Sequence, residues 1–223
     1  MDIKRFTCNN FYENCYLVAA GNACALIDPG FASEAEMQPL LKFLNGRVPD
    51  AILLTHGHFD HTLGVVRLLK LWGSVPVYMG PEDAVVLQDD YSYSKGVGIP
   101  DGDFSFPWIP ARDGQVLKFG ELTFRAIATP GHTPGGICWH CEAEDVLFSG
   151  DTLFADSIGR TDFGHGDYDA EIRSIMEKLM ILPSDTIVYP GHGIPTTIGR
   201  ERVSNPFLEP WGGPEELGET LQG

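Results

Sequence analysis

The string Thr55-His56-Gly57-His58-Phe59-Asp60-His61 follows directly on a short apolar run at 51–54. Four side chains able to ligate a metal fall within six positions. Packing gives no reason for that density, because burying or crowding so many polar groups costs free energy. In extended backbone, residues two apart point the same way. His56 and His58 can therefore grip one cation, while Asp60 and His61 turn toward a neighbouring position, so that one loop can feed two metals. Gly57 removes a side chain where the loop is expected to bend tightly. Such a loop constrains the fold, since it needs a rigid strand end to carry it and further ligands converging on the same cleft. The same punctuation recurs three times, each time after an apolar strand and a glycine. His132 lies in Thr129-Pro130-Gly131-His132-Thr133-Pro134-Gly135, Asp151 in Phe148-Ser149-Gly150-Asp151-Thr152, and His192 in Tyr189-Pro190-Gly191-His192-Gly193.

The elements around these loops alternate. Residues 14–19 and 23–28 read as a hairpin about Gly21-Asn22. Ser33 with Glu36 makes a capping box for a helix through about residue 44. The run at 51–54 is a buried strand. Leu63, Val66, Leu69 and Leu71 predict a helix ended by Gly73. Another strand covers 75–79, and Pro81 opens a short helix. Residues 90–114 read as a long surface loop with the composition of a lid. A second hairpin joins 115–119 to 121–128, and strands follow at 136–142 and 146–149. Residues 169–182 are amphipathic, with Ile172, Ile175, Met176 and Leu179 on one stripe, and 186–189 is a late strand. Hairpins in both halves favour two mixed sheets packed together with helices outside, not a purely parallel sheet. No linker divides the chain, so residues 1–223 read as one domain.

Charge and composition narrow the function. With 31 acidic against 15 basic residues and a formal charge of −16, the chain offers no footprint for a phosphate backbone, and no nucleic-acid partner is expected. No apolar run reaches the roughly 18 residues that span a bilayer, so no membrane partner is expected either. The residues from Met1 to Asn10 contain no signal-peptide core. Five scattered cysteines suit reduced thiols and a cytoplasmic location. The expected partner is a small-molecule substrate.

The ordered set His56-x-His58-x-Asp60-His61, His132, Asp151 and His192 resembles the metallo-β-lactamase-fold hydrolase superfamily, over the chain from about residue 14 to 192. The segment Ser157-Ile158-Gly159-Arg160-Thr161-Asp162-Phe163, with Thr196-Thr197-Ile198-Gly199 and Asn205-Pro206-Phe207-Leu208, is similar to the short glyoxalase II-like branch. The resemblance implies an α+β, four-layer αββα sandwich with the metals at one edge between the sheets. It implies two divalent ions, one on His56, His58 and His132 and the other on Asp60, His61 and His192, bridged by Asp151. His and carboxylate donors suit zinc, with iron or manganese also compatible. The implied reaction is hydrolysis by a bridging hydroxide that Asp60 both ligates and orients, since a metal lowers the pKa of bound water from 15.7 to about 7. A thiolate leaves without a proton, which favours thioesters of the S-lactoylglutathione type, with lactones or other esters close behind.

Other readings stay open beside this one. The Gly159-to-Phe163 string also resembles persulfide dioxygenases, in which one iron would sit on His56, His132 and Asp151. A metal-stabilised binding module is the remaining alternative. Cys138-Trp139-His140-Cys141 places its two thiols on opposite faces of a strand and reads as packing. His165 reads as a solvated loop residue and Arg160 as the partner of Asp162. Asp28 reads equally as support for a ligating histidine or as a turn residue. After His192 the basic residues are Arg200 and Arg202, and the acidic, turn-rich stretch 209–216 is not expected to bind glutathione carboxylates.

Overall fold

A computed structural model describes residues 1–96 and 105–208. Its first sheet runs in spatial order β1 (Asp2–Cys8), β2 (Glu13–Ala20), β3 (Ala23–Ile27), β4 (Ala51–Leu53), β5 (Val77–Met79) and β6 (Ile109–Pro110). The pairings β1·β2 and β2·β3 are antiparallel, and those from β3 to β6 are parallel. The second sheet is built from β7 (Val116–Phe119), β8 (Leu122–Ala128), β9 (Ile137–Cys141) and β10 (Val146–Gly150). The ribbon β11 (Leu153–Phe154) and β12 (Ser157–Ile158) stands apart, and β13 (Ile187–Pro190) and β14 (Thr196–Thr197) complete the sheet in the order β14-β13-β10-β9-β8-β7.

Three apolar interfaces give four layers. Leu17, Leu26, Ile52 and Leu54 pack outward against Met37 and Leu40 of α1 (Glu34–Leu44) and Val65 and Leu68 of α3 (Val65–Trp72). Between the sheets, Tyr16, Val18, Ile27 and Leu53 meet Phe124, Ile137, Trp139 and Phe148. On the far side, Cys138, Leu147 and Val188 face Ile172 of α5 (Tyr168–Ser174), Ile175 and Leu179 of the π-helical turn that continues it, and Ile198 of α6 (Ile198–Ser204). The α+β, αββα sandwich is the architecture found.

The C-terminal ends of β3, β4 and β5 share one edge of the first sheet because those strands are parallel. In the second sheet β8 and β10 are each antiparallel to β9, and β10 is parallel to β13, so all three end on one edge. Hydrogen bonds sew the two edges together. Ile137 N donates to Thr55 O at 2.7 Å, Trp139 Nε1 to Leu54 O at 3.0 Å, and the Tyr16 hydroxyl to Pro190 O at 2.7 Å.

Several expectations need correction. Residues 90–96 continue α4 (Ala84–Gly96), so the expected loop is helical where it begins, while its part at 97–104 lies outside the described residues. So does the acidic stretch at 209–216. The Ser33 cap forms, its hydroxyl accepting from Glu36 N, but Glu36 does not close a box. Its carboxylate takes Ala32 N and Asn9 N, pinning the β1–β2 turn to the helix start. Gly57 is not at positive φ. What it provides is close approach, since a side chain there would press on the backbone of Asp83.

Candidate metal centre

Every residue expected in the site comes to the shared edge. His56 follows β4, and His58 has extended backbone and stands just before α2 (Phe59–Thr62), a single helical turn carrying Asp60 and His61. The extended-then-helical backbone explains why the first two side chains point one way and the second two another. His132 lies in the loop after β8, Asp151 directly after β10, and His192 after β13. Nitrogen or oxygen atoms of His56, His58 and His132 lie within 4.8 Å of one another, as do those of Asp60, His61 and His192. Asp151 stands between the two sets. Its Oδ1 is 3.4 Å from His61 Nε2, and its Oδ2 is 3.7 Å from His132 Nε2 and 3.5 Å from His192 Nε2.

Four of the five rings are held by the nitrogen facing away from the centre, while His58 turns its Nδ1 inward, 3.0 Å from His132 Nε2. His132 Nδ1 donates to Arg160 O at 2.8 Å and His192 Nδ1 to Phe11 O at 3.0 Å. His61 Nδ1 lies 3.0 Å from Asp28 Oδ2, and His56 Nδ1 lies 3.0 Å from the Thr55 hydroxyl. Carbonyl and carboxylate partners fix the Nδ1–H tautomer and leave the Nε2 lone pair directed inward. Asp28, His56 and His61 also approach one another. Asp28, however, faces the Nδ1 side and accepts Thr55 N at 2.7 Å and Thr55 Oγ1 at 2.6 Å, so it supports the rings from behind. Both readings of Asp28 hold: it supports a histidine, and at positive φ directly after β3 it is also a turn residue.

The cluster tests as a cation site on its own atoms. His56 Nε2, His61 Nε2 and Asp151 Oδ1 are buried and have no hydrogen-bond partner among the described residues. Orphaned buried polar atoms are costly and call for an occupant. Burial, together with neighbouring imidazoles, pushes the His58 pKa down to about 3 and that of His56 well below its ordinary value, so both stay neutral with lone pairs free. The other half is anionic. Burial alone would lower His61 and raise Asp151, but their mutual attraction outweighs it, holding His61 well up and Asp151 well down. A field that favours an imidazolium there also favours a metal cation. The donor set fits two divalent ions.

The weaker candidates resolve as well. Cys138 sits in the core behind the second sheet and Cys141 in the core between the sheets, on opposite faces of β9. Arg160 Nε pairs with Asp162 Oδ1 at 2.9 Å. His165 Nε2 pairs with exposed Asp89 at 2.9 Å on the surface. Sequence reasoning misses three buried acids that hold the ligand loops, one of them Asp90, which accepts Phe59 N at 3.0 Å. Glu171 accepts His132 N at 2.8 Å, and Asp83 accepts Gly57 N at 2.7 Å and the Thr133 hydroxyl at 2.9 Å.

The chain belongs to the metallo-beta-lactamase superfamily, whose family model matches residues 9–192. Within that superfamily it falls in the class of metallo-hydrolases. It is 37% identical to the hydroxyacylglutathione hydrolase GloC of Haemophilus influenzae, the match covering 93% of this chain and 98% of the relative. Two solved structures share its fold closely. TTHA1623 in a di-iron-bound form aligns with a TM-score of 0.81 and 38% identity, covering 92% of this chain and 100% of that one. The B3 metallo-beta-lactamase BLEG-1 aligns with a TM-score of 0.82 and 36% identity, covering 93% of this chain and 99% of that one. No helix among the described residues is long and apolar enough to cross a membrane.

Proposed function

We propose that this protein is a dinuclear metallohydrolase of thioesters, of the hydroxyacylglutathione hydrolase type. One observation carries the reading: Asp151 lies between two complete three-donor sets, with one oxygen facing His61 and the other facing His132 and His192. His56, His58 and His132 would hold one ion and Asp60, His61 and His192 the other, with Asp151 shared. When bound, two such ions supply water of lowered pKa and Lewis-acid polarisation of a carbonyl. Zinc, iron and manganese all suit these donors.

The chain's own residues supply the rest. Asp60, whose Oδ2 is 3.3 Å from His192 Nε2, would accept a hydrogen bond from the attacking water and aim its lone pair at the carbonyl. Burial alone would raise the Asp60 pKa, but His61 and His192 more than offset it and keep the carboxylate ionised and accepting. A departing thiolate takes no proton, so thioester cleavage asks for no general acid, whereas an amide nitrogen does. A mononuclear iron oxygenase on His56, His132 and Asp151 would leave Asp60, His61 and His192 gathered without a task. The relative named as a hydroxyacylglutathione hydrolase supports the thioester reading.

The test loads the protein with zinc, iron or manganese in turn. It then compares kcat/KM for S-lactoylglutathione, a lactone and a β-lactam, with oxygen uptake measured on glutathione persulfide. Thioester cleavage ahead of the other substrates is expected. Oxygen consumption with the persulfide and no thioester turnover would overturn the proposal.

A further inference from the structure

Asp83 closes the short 3-10 turn Pro81–Asp83 that follows β5, one strand from β4, while Asp28 directly follows β3 on the other side of β4. The two acids flank the strand that carries the histidine string. Asp28 serves the Thr55 and His61 side. Asp83 is fully buried, and its carboxylate joins two other segments. A single oxygen, Oδ2, accepts both Gly57 N at 2.7 Å and the Thr133 hydroxyl at 2.9 Å, and Oδ1 accepts Gly135 N at 2.5 Å. Gly57 stands between His56 and His58, and Thr133 and Gly135 follow His132. One carboxylate thus ties the arm bearing two imidazoles to the loop bearing the third.

The glycines at this junction give independent support. A methyl group at Gly80 would overlap the Gly135 carbonyl, and one at Gly135 would overlap the Asp83 backbone and carboxylate. One at Gly57 would crowd the Asp83 carbonyl. Three chain segments meet here at backbone-to-backbone distance, and the junction leaves no room to slip. His132 Nε2 and His58 Nδ1 are 3.0 Å apart across it. A carboxylate is needed because all three groups facing it are donors. An amide in its place must direct its NH2 either at Gly57 N and Thr133 or at Gly135 N, and loses a bond either way.

We propose that Asp83 is a positioning residue that sets the spacing of His56, His58 and His132, so that ion affinity in the three-imidazole half depends on it and affinity in the Asp60, His61 and His192 half does not. This rests on the dinuclear reading above. Buried partners behind ligands commonly change metal affinity by 10–100-fold, and a loss of roughly that size is expected in one binding step only.

The experiment titrates metal-free protein with zinc against a chromophoric chelator and resolves the stepwise affinities. His58→Ala identifies the step belonging to the three-imidazole half. Asp83→Asn should weaken that step and leave the other unchanged, and Thr133→Val, a milder change that keeps the carboxylate, should weaken the same step less. Glu201→Gln removes a buried carboxylate that bonds Asp156 N and Asn205 away from the metals, so it lowers stability without changing either step. Equal weakening of both steps in Asp83→Asn, or of neither, overturns the inference. If Asp83→Asn fails to fold, Thr133→Val decides on the same criterion. Wild-type protein that takes a single ion overturns the dinuclear reading instead, and the inference then fails if that ion's affinity is unchanged in the Asp83 and Thr133 variants.

Discussion

Asp28 Oδ2 lies 3.0 Å from His61 Nδ1 while the same oxygen accepts the Thr55 hydroxyl at 2.6 Å, so one carboxylate orients a ring on α2 and anchors the chain as it leaves β4. Asp28 is at φ 46°, in the left-handed region, directly after β3. Aspartate tolerates that conformation better than most residues. Asp28→Asn should keep the turn but lose the ionic partner of His61. Zinc affinity should fall by roughly 10–100-fold in the step that His61→Ala abolishes. A chelator titration that leaves this step untouched would show that the ring needs no help from behind.

Asp151 answers to both halves of the centre, so its loss should not be selective. Asp151→Ala removes the oxygens facing His61, His132 and His192, and both metal content and thioesterase activity should fall together. The loss should exceed the roughly 10–100-fold typical of residues that only support ligands. Elemental analysis after gel filtration reads the first and steady-state kinetics the second. Two retained ions with near-normal turnover would place Asp151 outside the coordination set.

Much of the site is legible in the sequence because it is chemically expensive. His56, His58, Asp60 and His61 crowd one loop at a cost no core repays, and Gly131, Gly150 and Gly191 mark the three other ligand turns. Asp83 leaves no such trace. It sits in Pro81-Glu82-Asp83, which reads as an ordinary helix start, and its partners lie 26, 50 and 52 residues away. Glu171 is hidden likewise, as one more acid in the first turn of α5. The fold shows the same divide. Hairpins and the stripe on α5 follow from local pattern. Strand β1, with Lys4 and Arg5 exposed, and the two-residue strands β11, β12 and β14 exist because neighbours pair with them. The helix over 90–96 does not show in the sequence, because its Tyr-Ser-Tyr-Ser composition is that of a loop.

Cys138 and Cys141 should behave as inert packing residues. Burial pushes both thiols up to about 12, and they belong to different cores on either side of β9. At pH 8 almost none of either is the reactive thiolate. Folded protein should react with a maleimide far more slowly at these positions than denatured protein does, as mass spectrometry of the labelled peptides would show. Cys141→Ala and His140→Ala should leave zinc stoichiometry unchanged. Rapid labelling of the native pair, or metal loss in either variant, would reopen a redox or chelating role for this segment.

The last prediction concerns the pH dependence of the metal-free fold. Burial lifts the Asp83 carboxyl from 3.8 to about 6, and the bonds from Thr133, Gly135 and Gly57 only partly offset it. The folded chain therefore holds this proton more tightly than the unfolded chain. Between those values it binds more protons than the unfolded state, so the contribution of Asp83 to stability is full below pH 3.8 and is lost as pH rises through about 6. The size is about 3 kcal/mol, because each tenfold difference in proton affinity between the two states is worth roughly 1.4 kcal/mol. The amide introduced by Asp83→Asn does not titrate in that range. The unfolding free energy of the wild type minus that of the Asp83→Asn variant should therefore decline from pH 4 to pH 7. Urea denaturation of the two metal-free proteins at several pH values measures that difference directly. The depressed Asp151 carboxyl acts at lower pH and the raised His61 at higher pH, and both are common to the two chains, so their contributions cancel in the subtraction. A difference that grows with pH would mean that Asp83 is held as a carboxylate by its three donors more strongly than burial opposes it.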